Sequence, residues 1–373
     1  LKKQLLCTSA IALGVAAAPA AAQEWSLDWG GFMSQHVAIV DNGGTLGNAA
    51  GTDLDGVAHH QTGEIIFSPS VTLDNGLTFG VNVQYEAQQA VSVDETYVTI
   101  SSDTFGKLDI GAENSAGYKS MVAAPGVTSM AINSPSISAF VPFAASGGTI
   151  GNSFLGAGLS AYTEVGYLPL DGNNDPGRIS YYTPSFNGLV VGVSYARTVA
   201  NNANSAGASD KNAVALSDVF DIGVNYSQSF GKTDVSLSAR YGTADATAPG
   251  RSDPDTWGIG AQVGFGAITV GGHYAENDNG GAGGAFDESG WSLGATYDAA
   301  GPWSFEALTF QGEFDNGGGV DDEYQAYRIG ASRDLGPGVD WDIYAANVVA
   351  DGQATAGDEF DGTLIGTAIN LSF

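Results

Sequence analysis

Three arginines, one lysine and one histidine carry most of the charge chemistry this sequence could exert. Arg178, Arg240, Arg328 and His273 each occupy a polar position within an alternating apolar and polar run, whereas Glu113, Lys119 and Glu164 fall in a stretch without alternation. Cations and carboxylates fixed around a polar space sort solutes by charge and make or break no bond. Nothing here reads as a catalytic set, since no nucleophile, base and acid stand together beyond what 373 residues supply by chance. The four histidines, His36, His59, His60 and His273, lack metalloprotease spacing, and His59-His60 falls in a Gly/Asn/Asp-rich segment from Asp41 to about His60 that reads as a loop. Asp321, Asp322 and Glu323, and likewise Asp358, Glu359 and Asp361, offer oxygen ligands for Ca²⁺ at outer loops, against the plainer reading of solvated loop charge. Gly280-Gly281-Ala282-Gly283-Gly284 has neither a lysine nor a following helix, as a phosphate cradle would need.

The elements that must hold these residues are strands. Ile65, Phe67, Val71 and Leu73 lead into Asp74-Asn75-Gly76, and Leu77, Phe79, Val81 and Val83 lead out, which is a hairpin signal because Asn and Gly tolerate positive φ. The unit recurs down the chain. Turns are read at Ser102–Gly106, Ser185–Gly188, Gly231-Lys232, Gly266, Ala299–Pro302 and Asp334–Gly338, giving sixteen strands with seven short turns and eight longer loops. A phase slip after Phe305 predicts a bulge before Leu308 and Phe310. Strict alternation of short and long connections places the turns at one end, the loops at the other, and both termini at the turn end.

One stretch breaks the rhythm. Residues 113 to 177 run about 65 residues without alternation, poor in charge and dotted with apolar clusters such as Met121 to Pro125 and Phe140 to Phe143. That composition suits a loop packed inside something.

Lys2-Lys3, the apolar run Leu5 to Ala18 and the small residues Ala20 to Ala22 predict a signal peptide over 1–22, leaving 23–373 as one domain. The sole cysteine, Cys7, lies in that leader, so no disulfide or Cys-ligated metal is expected after it. Without Lys2 and Lys3, 10 basic residues face 41 acidic ones and the formal charge goes from −29 to −31, which argues against a nucleic-acid partner. Gly at 54 residues and only 14% charged residues also fit poorly with a two-domain soluble enzyme. Phe220 and Phe230 stand ten residues apart on one face, a spacing of roughly 25 Å of barrel height. Sixteen strands enclose a lumen too wide for side chains to fill, so the apolar face must meet lipid.

With those residues in view, the sequence resembles the sixteen-stranded trimeric general porins of Gram-negative outer membranes. Phe105-Gly106-Lys107-Leu108-Asp109-Ile110-Gly111 is similar to the strand those proteins place before an infolded third loop, and Arg178 to Gly188, with Tyr181-Tyr182-Thr183-Pro184-Ser185-Phe186-Asn187-Gly188, to the hairpin after it. The C-terminal Phe373 resembles the signal read by the barrel-assembly machinery. The resemblance implies an all-β, sixteen-stranded antiparallel transmembrane barrel in the outer membrane, bathed in lipid and lipopolysaccharide. It also implies a homotrimer, passage of small hydrophilic solutes and ions, and a constriction by residues 113–177. Phase and height put Arg178, Arg328, Arg240 and His273 on the lumen wall, with Glu113, Lys119 and Glu164 on the loop. Glu64, Glu86 and Asp221 are expected inward near the loop end. A substrate-selective channel and an outer-membrane barrel hydrolase are the alternatives.

Overall fold

The computed structural model describes residues 24–44, 53–87, 92–131, 137, 139–141, 175–200, 202–203, 210–214, 216–247, 249–281, 287–315, 321–352 and 358–373. Its strands are β1 (Trp29–Gly43), β2 (Gly56–Phe67), β3 (Ser70–Thr72), β4 (Thr78–Glu86), β5 (Val93–Ser102), β6 (Gly106–Ala112), β7 (Gly177–Tyr182) and β8 (Leu189–Thr198). They continue as β9 (Leu216–Phe230), β10 (Thr233–Ala246), β11 (Asp255–Phe265), β12 (Ile268–Asp278), β13 (Glu288–Asp298), β14 (Trp303–Asp315), β15 (Asp321–Gly336), β16 (Val339–Gly352) and β17 (Asp358–Ser372). Neighbours pair antiparallel, and β1 pairs with β17, so the sheet closes on itself. β2 and β3 are two halves of one stave, both pairing with β4 and interrupted at Pro69, which has no N–H to give the ladder. The barrel therefore has sixteen staves, as the sequence pattern predicts.

Side chains alternate as a membrane barrel requires. Ile39, Ile259, Leu293 and Ile343 are exposed on the outside, and Phe220 and Phe230 lie on that face as well. Inside, the apolar core is a contact between chain and wall rather than between two sheets. Met130, Ile137, Phe140 and Val141 of the long loop pack on Phe310, Tyr324, Tyr344, Val348 and Phe360 of the wall.

Several expectations are corrected. No bulge precedes Leu308, because β13 and β14 keep continuous register from Asp298↔Ser304 to Glu288↔Phe314. Leu308 and Phe310 simply face the lumen, where the loop supplies an apolar surface; Phe310 is 1% exposed. His59 and His60 lie in β2 and not in a loop, since β1 runs on to Gly43 and β2 begins at Gly56. The acidic rims are likewise strand: Asp321, Asp322 and Glu323 open β15, and alternation sends the buried Asp322 inward and the exposed Glu323 outward. Trp25 and Leu27 are exposed ahead of β1, held by a bridge between Ser26 and Ser70.

Candidate functional site

The site is the lumen and the chain laid along its wall. After β6 the chain turns inward at Ser115, whose Oγ accepts from Tyr118 N at 3.1 Å and caps the short helix α1 (Ala116–Ser120). Beyond Met121 it runs extended around the wall, tied at nearly every stave. Ala116 N donates to Ser194 Oγ at 3.1 Å, Val122 N to Ser238 Oγ at 2.8 Å, and Ala124 N to Ser292 Oγ at 3.1 Å. Asn225 Nδ2 donates to Ser120 O and Gln262 Nε2 to Ala123 O, both at 2.9 Å. An extended segment has no internal ladder to satisfy its amides, so polar wall side chains take that role.

Two wall carboxylates fasten the next residues. Glu306 accepts from Val127 N at 2.5 Å, Thr128 N at 3.0 Å and Thr128 Oγ1 at 2.6 Å. Asp342 Oδ2 accepts from Ser129 N and Ser129 Oγ, each at 2.8 Å, and from Asn370 Nδ2 at 2.7 Å. The backbone comes so close to the wall that only glycine fits beneath it. A Cβ on Gly260 would lie 1.8 Å from Val122 O, and one on Gly223 would lie 2.4 Å from Ser120 Oγ.

The expected wall cations face inward but lie under this strap. Arg178, Arg240, Arg328 and His273 are at most 5% exposed. Arg328 Nη2 donates to Glu306 Oε2 at 3.1 Å with Nε 2.7 Å from Oε1, and Gly126 covers the pair. Arg240 Nη2 stands 3.5 Å from Asp221 Oδ2, and Arg178 acts on the same carboxylate. Lys119 Nζ donates to Glu113 Oε2 at 2.5 Å, both side chains buried. His273 Nδ1 is 2.6 Å from Ser292 Oγ, and its ring stacks on Phe310. Glu164 lies outside the described residues. The structure thus brings the arginines to the lumen face as sequence phase predicts, then neutralises them behind the loop.

On β2, β4 and β5, Glu64, Glu86 and Asp94 bring carboxylate oxygens within 4.8 Å of one another, each half-buried. Among the described residues no lysine or arginine pairs with Glu64 or Asp94. Sequence reasoning placed Glu64 and Glu86 inward but missed Asp94, Glu306 and Asp342. For Glu306 the missed signal was a single acid on the inward phase of an otherwise uncharged stave face; Asp94 comes inward beside Glu95 at a register shift between β4 and β5, and Asp342 shares its phase with Asp340.

Comparison with known proteins fits this arrangement. The family model described as Gram-negative porin matches residues 8–353. Among solved structures, the anion-selective porin from Comamonas acidovorans aligns with a TM-score of 0.60 at 18% identity, covering 94% of this chain and 100% of that one. OmpT, an outer membrane protein of Vibrio cholerae in its trimer form, gives a TM-score of 0.60 at 12% identity, covering 94% and 99%. A mutant of the Rhodopseudomonas blastica porin gives 0.54 at 17% identity, covering 93% and 100%. No curated protein sequence matches the chain.

Proposed function

The chain belongs to the Gram-negative porins, and from that premise we propose that it is a passive, non-catalytic outer-membrane channel whose working form is a homotrimer. As an outer-membrane porin it forms a water-filled barrel through which small hydrophilic solutes and ions diffuse. The observation that carries the passive reading is the use made of the lumen's charged groups. Glu306, Asp342, Arg328 and Asp221 are occupied in seating the loop or in pairing with one another. A general acid or base needs a proton within reach of a bound substrate, and these groups are covered by the loop. Planar-bilayer recording should give stable ohmic steps, and liposomes carrying the protein should swell in small sugars. Hydrolysis of generic ester and peptide substrates above a protein-free control would overturn the non-catalytic part.

The trimer rests on the outer wall of β1 and β2. There His59 Nε2 lies 2.8 Å from Gln35 Oε1, and Gln35 Nε2 donates to Gln61 Oε1 at 3.4 Å, between the exposed apolar residues Val37 and Ile65. Facing hydrocarbon, each donor or acceptor these groups leave unmatched would cost on the order of 1–3 kcal/mol. A second copy of the chain can offer partners for them. Light scattering of the folded protein in detergent should report three chains per particle, and a monomer would remove this part of the proposal. Phe373, 72% exposed with its carbonyl accepting from Gly31 N at 3.1 Å, stays displayed at the turn end, as a residue read during assembly would need.

A further inference from the structure

His36 and His60 are direct cross-strand partners on the lumen face of β1 and β2. Such partners carry Cβ atoms about 4.5–5.5 Å apart, so both rings can lean over the same point. Their ring centroids are 5.9 Å apart. With metal–nitrogen bonds of about 2.0–2.1 Å and ring centres about 1.2 Å further back, two imidazoles on one tetrahedral ion have centroids about 5.3 Å apart, rising toward about 6.4 Å as the N–metal–N angle opens. The observed spacing lies between the two, so a small turn of the half-buried His60 ring closes the site.

The second observation concerns the nitrogens. His36 is 1% exposed, its Nδ1 stands 3.0 Å from the Tyr344 hydroxyl, and its Nε2 has no hydrogen-bond partner. A buried polar atom without a partner is rare and calls for an explanation. When Nδ1 donates its proton to the tyrosine oxygen, Nε2 keeps its lone pair, and this is how an outer partner prepares an imidazole to bind a metal. His60 is only half-buried, so an ion arriving from the lumen meets its ring first, while His36 Nε2 lies enclosed. Phe140 of the infolded loop presents its ring at a steep angle to both imidazoles, at 6.5 and 6.1 Å.

We propose that His36 and His60 form a binding site for a late first-row divalent cation, of the Zn²⁺, Ni²⁺ or Cu²⁺ class, on the lumen wall beneath the constriction loop. Two neutral imidazoles select this class, whereas Mg²⁺ and Ca²⁺ seek oxygen. Water supplies the remaining coordination positions. The charged groups closest by are Arg328 on β15, held by Glu306, and Asp342 on β16, held by Ser129 and Asn370; His59, next to His60 on β2, faces outward. The site stands apart from the channel reading, because binding is measured on the folded barrel with no current passing.

The experiment is calorimetric titration of Zn²⁺ and of Ni²⁺ into the purified, folded protein in detergent at pH 7.5, repeated in 10 mM Mg²⁺. One ion per barrel should bind, undisturbed by Mg²⁺. His60→Gln, at a half-exposed position, should abolish binding while unheated electrophoretic mobility stays that of the folded protein. Tyr344→Phe should weaken binding about tenfold through the lost orienting contact. Glu64→Gln should leave it unchanged, which separates this site from the nearby carboxylates. Zn²⁺ binding that survives His60→Gln, that Mg²⁺ displaces, or that is lost in Glu64→Gln would overturn the proposal. So would no binding at all by the wild-type protein.

Discussion

The ion pair between Arg328 and Glu306 shows how much of the lumen was readable one residue at a time. Alternation alone placed Arg178, Arg240, Arg328 and His273 on the inner face, and all four are there. It could not say that the loop would cover them, because that depends on where a segment some 200 residues away in the chain comes to rest. Covered and paired, these arginines contribute little to the field in the open passage. Arg328→Ala should therefore shift the reversal potential toward cations by less than Asp94→Asn shifts it toward anions. Equal and opposite shifts, read in the same salt gradient, would mean that Arg328 acts on passing ions directly. Glu306→Ala is the harsher change. It strands a buried guanidinium and removes three hydrogen bonds to Val127 and Thr128, a loss of about 3–5 kcal/mol from the seat of the loop. Single-channel traces of that variant should become noisy while the barrel still runs as a folded species.

At the level of elements, the strap is seated on a track of glycines, one to a stave at Gly223, Gly260, Gly294, Gly330 and Gly362, each with loop atoms where its Cβ would be. The high glycine content was visible in the composition, but its cause was not. These glycines sit on the inward phase of alternating strands, where a sequence reading expects only polar side chains. Gly260→Val would drive methyl groups into the Val122 carbonyl, costing about 1–3 kcal/mol and lifting the strap off β11. Its conductance should differ from wild type, whereas Gly266→Ala, at a turn with open space around it, should leave conductance alone. The strands themselves were found by period, yet their outer ends were missed. Asp245, Asp278, Asp315 and Asp351 were read as loop because acids are poor strand formers, although β10, β12, β14 and β16 carry the ladder through them. Above the bilayer, a stave can be as polar as the water around it.

For the whole molecule, the excess of acid was legible from composition and its effect follows from position. The lumen's described cations face carboxylates beneath the loop, and β2, β4 and β5 keep Glu64, Glu86 and Asp94, so the passage should prefer cations. That preference should be largest at 0.01 M salt, where the Debye length is about 30 Å, and should fade toward 1 M, where it is about 3 Å. An anion preference at low salt would contradict it. Acid should weaken it too. Asp287, just ahead of β13, has its carboxyl pushed up to about 6, first by burial and then by Asp278 and Asp315. A raised carboxyl is charged above that value and neutral below it, so cation preference should fall as pH passes down through 6. A selectivity flat between pH 7.5 and 5 would show that the rim does not contribute.

The seam between β1 and β17 sets a timetable for how such a chain reaches its native state. Every other antiparallel pair joins staves that follow one another, and all of those linked by a short turn can zip up by themselves soon after that turn forms. Closing the ring must bring the two ends of the chain together, and until then the curled sheet carries two raw edges open to mispairing. The contact between His36 and Tyr344 spans 308 residues of sequence across that seam, with β17 between them. A probe of that tyrosine's environment should therefore change last during refolding, after the hairpins have reached full β content.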